Sequence, residues 1–212
     1  ISKKMKHSFH KNMHYWFTII FYSVGVVGIS LKSFRELFLP FSWGILLLSF
    51  LALMLSIKAK EKRFYFFVAF CFFIGMTAEI IGVQTGLLFG DYFYGPNLGF
   101  KVFGVPLIIG LNWIILLICS ASFFTKIKSR SIRVFVSAGL MVVMDYLMEP
   151  VAVELNFWTW KGDIPIYNFI CWFILSLLLH FIYDILNLNA PNKYARFLFC
   201  ILALFFIILN FT

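Results

Sequence analysis

The distribution of apolar residues along this 212-residue chain constrains its fold more than any other feature. Seven stretches approach the roughly 20 mostly apolar residues that a helix needs to cross a bilayer. Charged residues make up only 13% of the chain, too few to cover a water-facing globule. The sequence therefore predicts an all-α, polytopic integral membrane bundle of about seven transmembrane helices. The predicted segments lie near 15–31, 39–57, 64–83, 105–125, 132–149, 167–187 and 194–211.

Lysine and arginine residues are concentrated in alternate connections between these segments. Counted in this way, one side of the membrane holds 14 of them and the other side holds 4. Because cytoplasmic loops carry the excess of Lys and Arg, we predict that the N-terminus is cytoplasmic. Long loops on the outer side suit a plasma-membrane protein, and this is the location that we predict. A basic tail over 1–14 then precedes a single transmembrane domain over 15–212. This topology accounts for the net charge of +9, so nucleic acid is not expected as a partner.

Two long connections, near 84–104 and 150–166, fall on the outer side and resemble each other. Each follows a helix with an acid near its outer end, contains an aromatic-x-aromatic pair, and ends in a proline with a tryptophan seven residues later. The pairs are Tyr92/Tyr94 and Trp158/Trp160, and the prolines and tryptophans are Pro106, Pro165, Trp113 and Trp172. Aromatic residues also form belts at membrane surfaces, but long ordered loops are often functional. We predict an internal repeat of helix–loop–helix units.

Few acids lie within the apolar segments, where such residues are costly and usually functional. Glu79 lies late in the third segment, and Asp145 and Glu149 lie late in the fifth, four residues apart on one helical face. Both segments run outward in the predicted topology, so the three acids should meet near the outer surface. Pairing with Lys101 or Lys161 would give one of them a structural role. So few cations cannot neutralise all three, and at least one carboxyl should stay protonated.

The histidines argue against metal chemistry. Oxygen-activating iron enzymes of membranes need many clustered histidines, whereas His180 alone lies within an apolar segment. The chain also lacks a phosphate loop and a dinucleotide-binding fingerprint, so neither a metal nor another cofactor is expected. His180 and Asp184, four residues apart on the sixth segment, are predicted to form a hydrogen-bonded structural pair.

Acid chemistry in an apolar, aromatic-lined site remains. A protonated carboxyl can protonate an electron-rich carbon–carbon double bond, and aromatic faces can stabilise the resulting tertiary carbocation. Capture by water gives a tertiary alcohol, whereas a dry site favours ring closure or loss of a proton. A transporter or lipid-binding protein could use the same acids as a proton relay. The residues alone leave these alternatives open.

Two stretches resemble signatures of a known family. The segment from Glu79 to Trp113 and the segment from Met144 to Trp160 are similar, in order and residue type, to the two signatures of the membrane carotenoid biosynthesis proteins. This family includes carotenoid hydratases of the bisanhydrobacterioruberin and γ-carotene 1',2' types. The resemblance covers roughly 75–175, about half of the chain.

The resemblance implies that water adds across the terminal double bond of an acyclic carotenoid end group. It implies a lipophilic carotenoid as substrate, with membrane lipids and other carotenoid biosynthesis enzymes as further partners. We assign Glu79 or Asp145 as the proton donor and Glu149 as the residue that orients water, although the resemblance does not itself assign these roles. The residues expected to bind substrate are Asp91, Tyr92, Tyr94, Asn112, Trp113, Trp158 and Trp160.

Small membrane lycopene cyclases offer a related alternative. They carry a tryptophan-rich loop followed by Pro-(Leu/Ile)-Glu-Glu, where this chain has Pro165, Ile166, Tyr167 and Asn168. The absent Glu-Glu pair counts against cyclisation, although both reactions share the first protonation. Which carotenoid reacts, and at one end or both, does not follow from the sequence.

Overall fold

The computed structural model describes residues 3–58 and 61–212, with side chains from residue 13 onward. Its backbone is mostly helical. The eight α-helices are α1 (Lys3–Ser30), α2 (Lys32–Phe38), α3 (Ser42–Ser56), α4 (Lys62–Thr85), α5 (Leu107–Ala121), α6 (Arg130–Glu154), α7 (Ile166–Ile185) and α8 (Lys193–Leu209). All seven predicted apolar segments are thus helical. Most side chains of the predicted basic tail lie outside the described residues.

Within the described residues, five stretches are long and apolar enough to cross a membrane: residues 13–30 of α1, Lys32–Ser56, α4, α6 and α7. The second of these joins α2 to α3 through a short 3-10 helix, Leu39–Phe41. The apolar helix α5 is shorter, at 15 residues. The chain is therefore a polytopic bundle of apolar helices, and the prediction of seven crossings stays a prediction.

Helix α5 lies at the centre of the bundle. It contacts α3, α4, α6, α7 and α8, and nearly all of its residues are buried. At 1.5 Å per residue it is only about 22 Å long, less than the hydrocarbon core of a bilayer. It begins directly after Pro106, whose fixed φ suits a helix start. A helix surrounded by others does not need to reach both membrane surfaces by itself.

The two long loops pair with each other through short strands. Strand β1 (Tyr92–Tyr94) is antiparallel to β4 (Trp158–Trp160), with Tyr92 opposite Trp160 and Tyr94 opposite Trp158. A hairpin of β2 (Lys101–Val102) and β3 (Val105–Pro106) completes the first loop. These strands depart from the all-α prediction. Every second side chain of a strand lies on one face, so Tyr92 and Tyr94 share a face of β1, and Trp158 and Trp160 share a face of β4.

Helix α6 continues past Pro150 to Glu154, so the second loop begins later than the predicted residue 150. A proline inside a helix removes one hydrogen bond and usually ends it. Here the residues that follow, Val151 and Ala152, are buried, and the Leu155 N–H donates to the Val151 carbonyl at 2.9 Å. Burial of this last turn offsets the disruption, and the loop to α7 is correspondingly short.

The opposite end of the bundle holds an ion cluster around one buried carboxylate. Asp184, 3% exposed, accepts hydrogen bonds from Arg130 at 2.9 Å and from Arg133 at 2.5 Å. His180 instead contacts the Ser120 hydroxyl at 2.9 Å and the Ser176 carbonyl at 2.7 Å. The predicted His180–Asp184 pair is therefore wrong. Charged guanidinium groups bind a carboxylate more strongly than a neutral imidazole does.

Candidate active site

Three buried carboxyl groups lie where α4 and α6 approach the paired loops. Glu79 and Glu149 are each 2% exposed and Asp145 is 1% exposed. Glu79 lies near the end of α4, which terminates at Gly86 in the left-handed conformation, with φ of +67°. Asp145 and Glu149 are one turn apart on α6. The helix ends therefore bring the three acids together beneath the β1–β4 strands.

Glu79 accepts three hydrogen bonds from aromatic side chains. Its Oε2 accepts the hydroxyl of Tyr92 at 2.5 Å and that of Tyr94 at 2.7 Å. Its Oε1 accepts the indole N–H of Trp113 at 3.0 Å. Burial, and then the neighbouring Glu79 carboxylate, raise the pKa of Tyr92 and Tyr94 well above the ordinary value, so both phenols stay protonated as donors. Three donors suit an ionised carboxylate.

Glu149 has a matching environment supplied by the second loop. Its Oε2 accepts the indole N–H groups of Trp158 and Trp160, both at 2.9 Å. Its Oε1 accepts the side-chain amide of Asn168 at 3.1 Å. These three groups are N–H donors that cannot accept, so they also suit a carboxylate.

Asp145 is bonded differently. Its Oδ2 accepts the same Asn168 amide at 3.1 Å, while its Oδ1 is buried and has no hydrogen-bond partner within the described part of the chain. A buried ion with one bare oxygen would be very costly, whereas a neutral carboxyl is cheaper to bury. The geometry suits a protonated Asp145 beside two hydrogen-bonded carboxylates.

No lysine or arginine pairs with these acids among residues 13–58 and 61–212, where five ion pairs occur elsewhere. Lys101 donates to the Tyr94 carbonyl at 2.6 Å, and Lys161 lies 3.5 Å from Asp91 at the surface. The structural role that the sequence allowed for one acid, pairing with Lys101 or Lys161, is not what the structure shows. Neutral donors surround the acids instead.

The acids line a small cavity of about 20 Å³, named here the acid cavity. Its volume is enough for about one water molecule. Trp172 lies in its wall and stacks on Trp113 with ring centroids 4.0 Å apart. The lining residues are Glu79, Phe89, Tyr92, Tyr94, Ile109, Asn112, Asp145, Met148, Glu149, Trp158, Trp160, Asn168 and Trp172.

Most residues predicted for the site meet here, and one does not. The acid cavity is lined by the three predicted acids and by Tyr92, Tyr94, Asn112, Trp158 and Trp160. Trp113 does not line the cavity but donates its indole N–H to Glu79. Asp91 lies outside it, with a side chain 63% exposed that pairs with Lys161. Asp91 directly precedes β1, and successive side chains of extended backbone point to opposite faces, so Asp91 does not share the buried face of its neighbour Tyr92.

Sequence reasoning missed Asn168 as a site residue. Asn168 is 1% exposed and joins Asp145 to Glu149 through one amide group. A signal was present, because the amide lies three residues after Pro165 at the start of an apolar helix, and a polar group buried there needs hydrogen-bond partners. Trp172 was noted for its spacing but not as a site residue.

The paired loops, the acids and most of the helical bundle match a known family. A family model described as "Carotenoid biosynthesis protein" matches residues 41–212. This chain belongs to the carotenoid biosynthesis protein family. The match includes every residue of the acid cavity, and it begins after α1 and α2. As a member of this family with several long apolar helices, the chain is a membrane protein.

The chain also has a distant relative among curated proteins. Over 120 residues the chain is 23% identical to the bisanhydrobacterioruberin hydratase of Haloarcula japonica. The aligned region represents 50% of this chain and 40% of that relative, so the chain spans less than half of the relative's length. No solved structure matches the chain.

Proposed function

We propose that this carotenoid biosynthesis protein is a hydratase that adds water to the terminal double bond of an acyclic carotenoid end group. The observation that carries the proposal is the acid cavity, which Asp145 and Glu149 line together and which has space for about one water; the buried Oδ1 of Asp145 has no hydrogen-bond partner in the described part of the chain. A proton donor and a water site are the two things that hydration of an alkene requires. The distant similarity to a hydratase agrees with this.

In the proposed first step, the Asp145 carboxyl transfers its proton to the less substituted carbon of the double bond. The positive charge then develops on the carbon that bears two methyl groups, as a tertiary carbocation. Asp145 becomes a carboxylate, which the Asn168 amide stabilises at Oδ2. The faces of nearby Trp and Tyr rings, held in place by their hydrogen bonds to Glu79 and Glu149, stabilise the cation.

In the second step, a water molecule near Glu149 attacks the cation and forms the new carbon–oxygen bond. Glu149 accepts the proton that this water loses, and the product is a tertiary alcohol. Transfer of that proton back to Asp145, one helical turn away, restores the starting state. The reaction consumes one water for each double bond hydrated, and no step of this mechanism uses a cofactor.

Cyclisation shares the first step but requires a site without water. The polar wall formed by Glu149 and Asn168 supports capture by water over ring closure. We further propose that the protein lies in the plasma membrane, and that its N-terminus is in the cytoplasm, an orientation that the lysine and arginine distribution supports. Membrane lipids surround it, and other carotenoid biosynthesis enzymes would supply its substrate.

Expression in cells that accumulate lycopene or γ-carotene tests the proposal. The expected result is a pigment whose mass has increased by one water. A product of unchanged mass with a shortened chromophore would instead indicate a cyclase. Unchanged pigment, with the protein folded in the membrane, would contradict the hydratase proposal and favour a role in transport or lipid binding.

A further inference from the structure

A second cavity lies beside the acid cavity. It has a volume of about 70 Å³ and is enclosed by α1, α3, α5, α6 and α8, together with the ends of the two loops. Its walls are largely apolar, and Leu46, Ala152, Leu202 and Phe205 are representative. We call this cavity the apolar chamber.

The apolar chamber and the acid cavity share four wall residues. Ile109, Asn112, Met148 and Trp158 line both, so the two cavities are separated by no more than these side chains. Trp158 also donates its indole N–H to Glu149, which fixes the ring at this boundary. Methionine is unbranched and flexible, so Met148 can move without disturbing the helix that carries it.

The two cavities differ in the way that the two ends of one ligand would differ. The apolar chamber suits hydrocarbon, and the acid cavity provides a proton donor and room for one water. The boundary between them includes the indole of Trp158 and the amide of Asn112. A slender alkene end can reach such a boundary, whereas a substituted cyclohexene ring is wider than the chain that carries it.

We infer that the apolar chamber binds the polyene chain next to the reacting end and brings an acyclic end group to the boundary with the acid cavity, a position that a cyclised end group does not fit. This inference rests on the proposed function and names the binding site for its substrate. The chamber holds the polyene in a fixed direction, so that the terminal double bond is the one that meets Asp145. Such positioning accounts for reaction at the terminal double bond rather than at a double bond within the conjugated polyene.

Pigment retention by purified protein tests this inference. The Asp145→Asn protein is made in cells that accumulate lycopene, and in parallel in cells that accumulate β-carotene, whose two ends are both cyclised. Pigment per protein is measured by absorbance after purification in detergent. We expect retention of lycopene and not of β-carotene. Adding Ala152→Phe on α6 or Leu46→Phe on α3, two helices that line the chamber, should lower lycopene retention about tenfold, since the added ring competes for the same space.

A matched control uses the same helix as Ala152. Val143 on α6 is 54% exposed, so Val143→Phe adds the same ring to the outer face and should retain lycopene fully. If Ala152→Phe does not fold, as judged by gel filtration and thermal unfolding, Leu46→Phe decides the question. Folded chamber variants that retain lycopene as well as Val143→Phe, or equal retention of β-carotene, would overturn the inference.

The two proposals fail separately. If no hydrated pigment forms but lycopene retention depends on the chamber residues, the hydratase proposal fails and the chamber inference stands. If the folded chamber variants hydrate the pigment as well as the unmodified protein does, the hydratase proposal stands and the chamber inference fails.

Discussion

Among the three buried carboxyls of the acid cavity, Asp145 alone has an oxygen without a hydrogen-bond partner in the described part of the chain. Glu79 and Glu149 each accept three hydrogen bonds. The sequence left the proton donor as either Glu79 or Asp145. Their surroundings differ enough to favour Asp145 in the mechanism proposed here.

Asp145→Asn should therefore abolish hydration while keeping the fold. Asparagine has nearly the same shape and can still bind Asn168, but it cannot donate a proton to an alkene. We expect the rate of product formation to fall by about 100-fold or more, the usual contribution of a general acid. Pigment analysis by mass measures this. The control is Asp163→Asn, which changes an exposed acid in the second loop and should be fully active; equal activity of both variants would contradict the assignment.

Asn168 is expected to act as a positioning residue for water capture. Asn168→Ala removes the amide that holds Glu149 and Asp145 together. Without an oriented water, more of the carbocation should lose a proton and give an isomer of the substrate. The ratio of isomer to hydrated product, read from mass and chromatographic retention, should therefore rise. A lower yield with an unchanged ratio would indicate a purely structural role.

At the scale of elements, the contact between β1 and β4 sets the geometry of the acid cavity. The Gly95 N–H donates to the Phe157 carbonyl at 2.9 Å directly beside these strands. A Cβ added at Gly95 would lie 1.8 Å from the Asn156 backbone oxygen. Backbone cannot yield as a side chain can, so any larger residue here must separate the loops.

Gly95→Ala should consequently impair activity. Separating the loops displaces the Tyr and Trp donors of both carboxylates, and displacement by about 1 Å can cost about 100-fold in rate. The matched control is Gly162→Ala in the second loop, where an added Cβ meets nothing within 4 Å. Pigment turnover per folded protein compares the two; similar turnover would show that the strand contact does not govern the site.

The ion cluster at the far end joins the start of α6 to the end of α7, the two helices that carry Asp145, Glu149 and Asn168. Asp184→Asn removes the carboxylate charge that pairs with Arg133 and leaves the guanidinium charge uncompensated. Losing one member of a buried ion pair costs about 3 kcal/mol. Thermal unfolding in detergent should show this loss. Glu61→Gln, which removes an exposed pair with Arg63, should cost less than about 1 kcal/mol. Equal stability of both variants would contradict a structural role for the cluster.

For the whole molecule, the charge distribution predicts which end faces the cytoplasm. In the proposed orientation the loop with Gly162 is outside and the loop with Lys128 is inside. With the native cysteines replaced, Gly162→Cys should react with a membrane-impermeant maleimide in intact cells. Lys128→Cys should react only after the cells are permeabilised. The reverse pattern would invert the topology and place the acid cavity near the cytoplasmic face.

The sequence alone determined the helices, the nearness of the three acids and the position of the two aromatic loops beside them. These depend on local properties: long apolar runs favour membrane helices, and a helical period of 3.6 residues places Asp145 and Glu149 on one face. Only the tertiary structure decided which donors bind which acid, that Asn168 joins two of them, that Asp91 lies apart and that Asp184 binds arginines instead of His180. Such contacts join residues far apart in the chain. They depend on how each helix is rotated against its neighbours, and packing of the whole bundle sets that rotation.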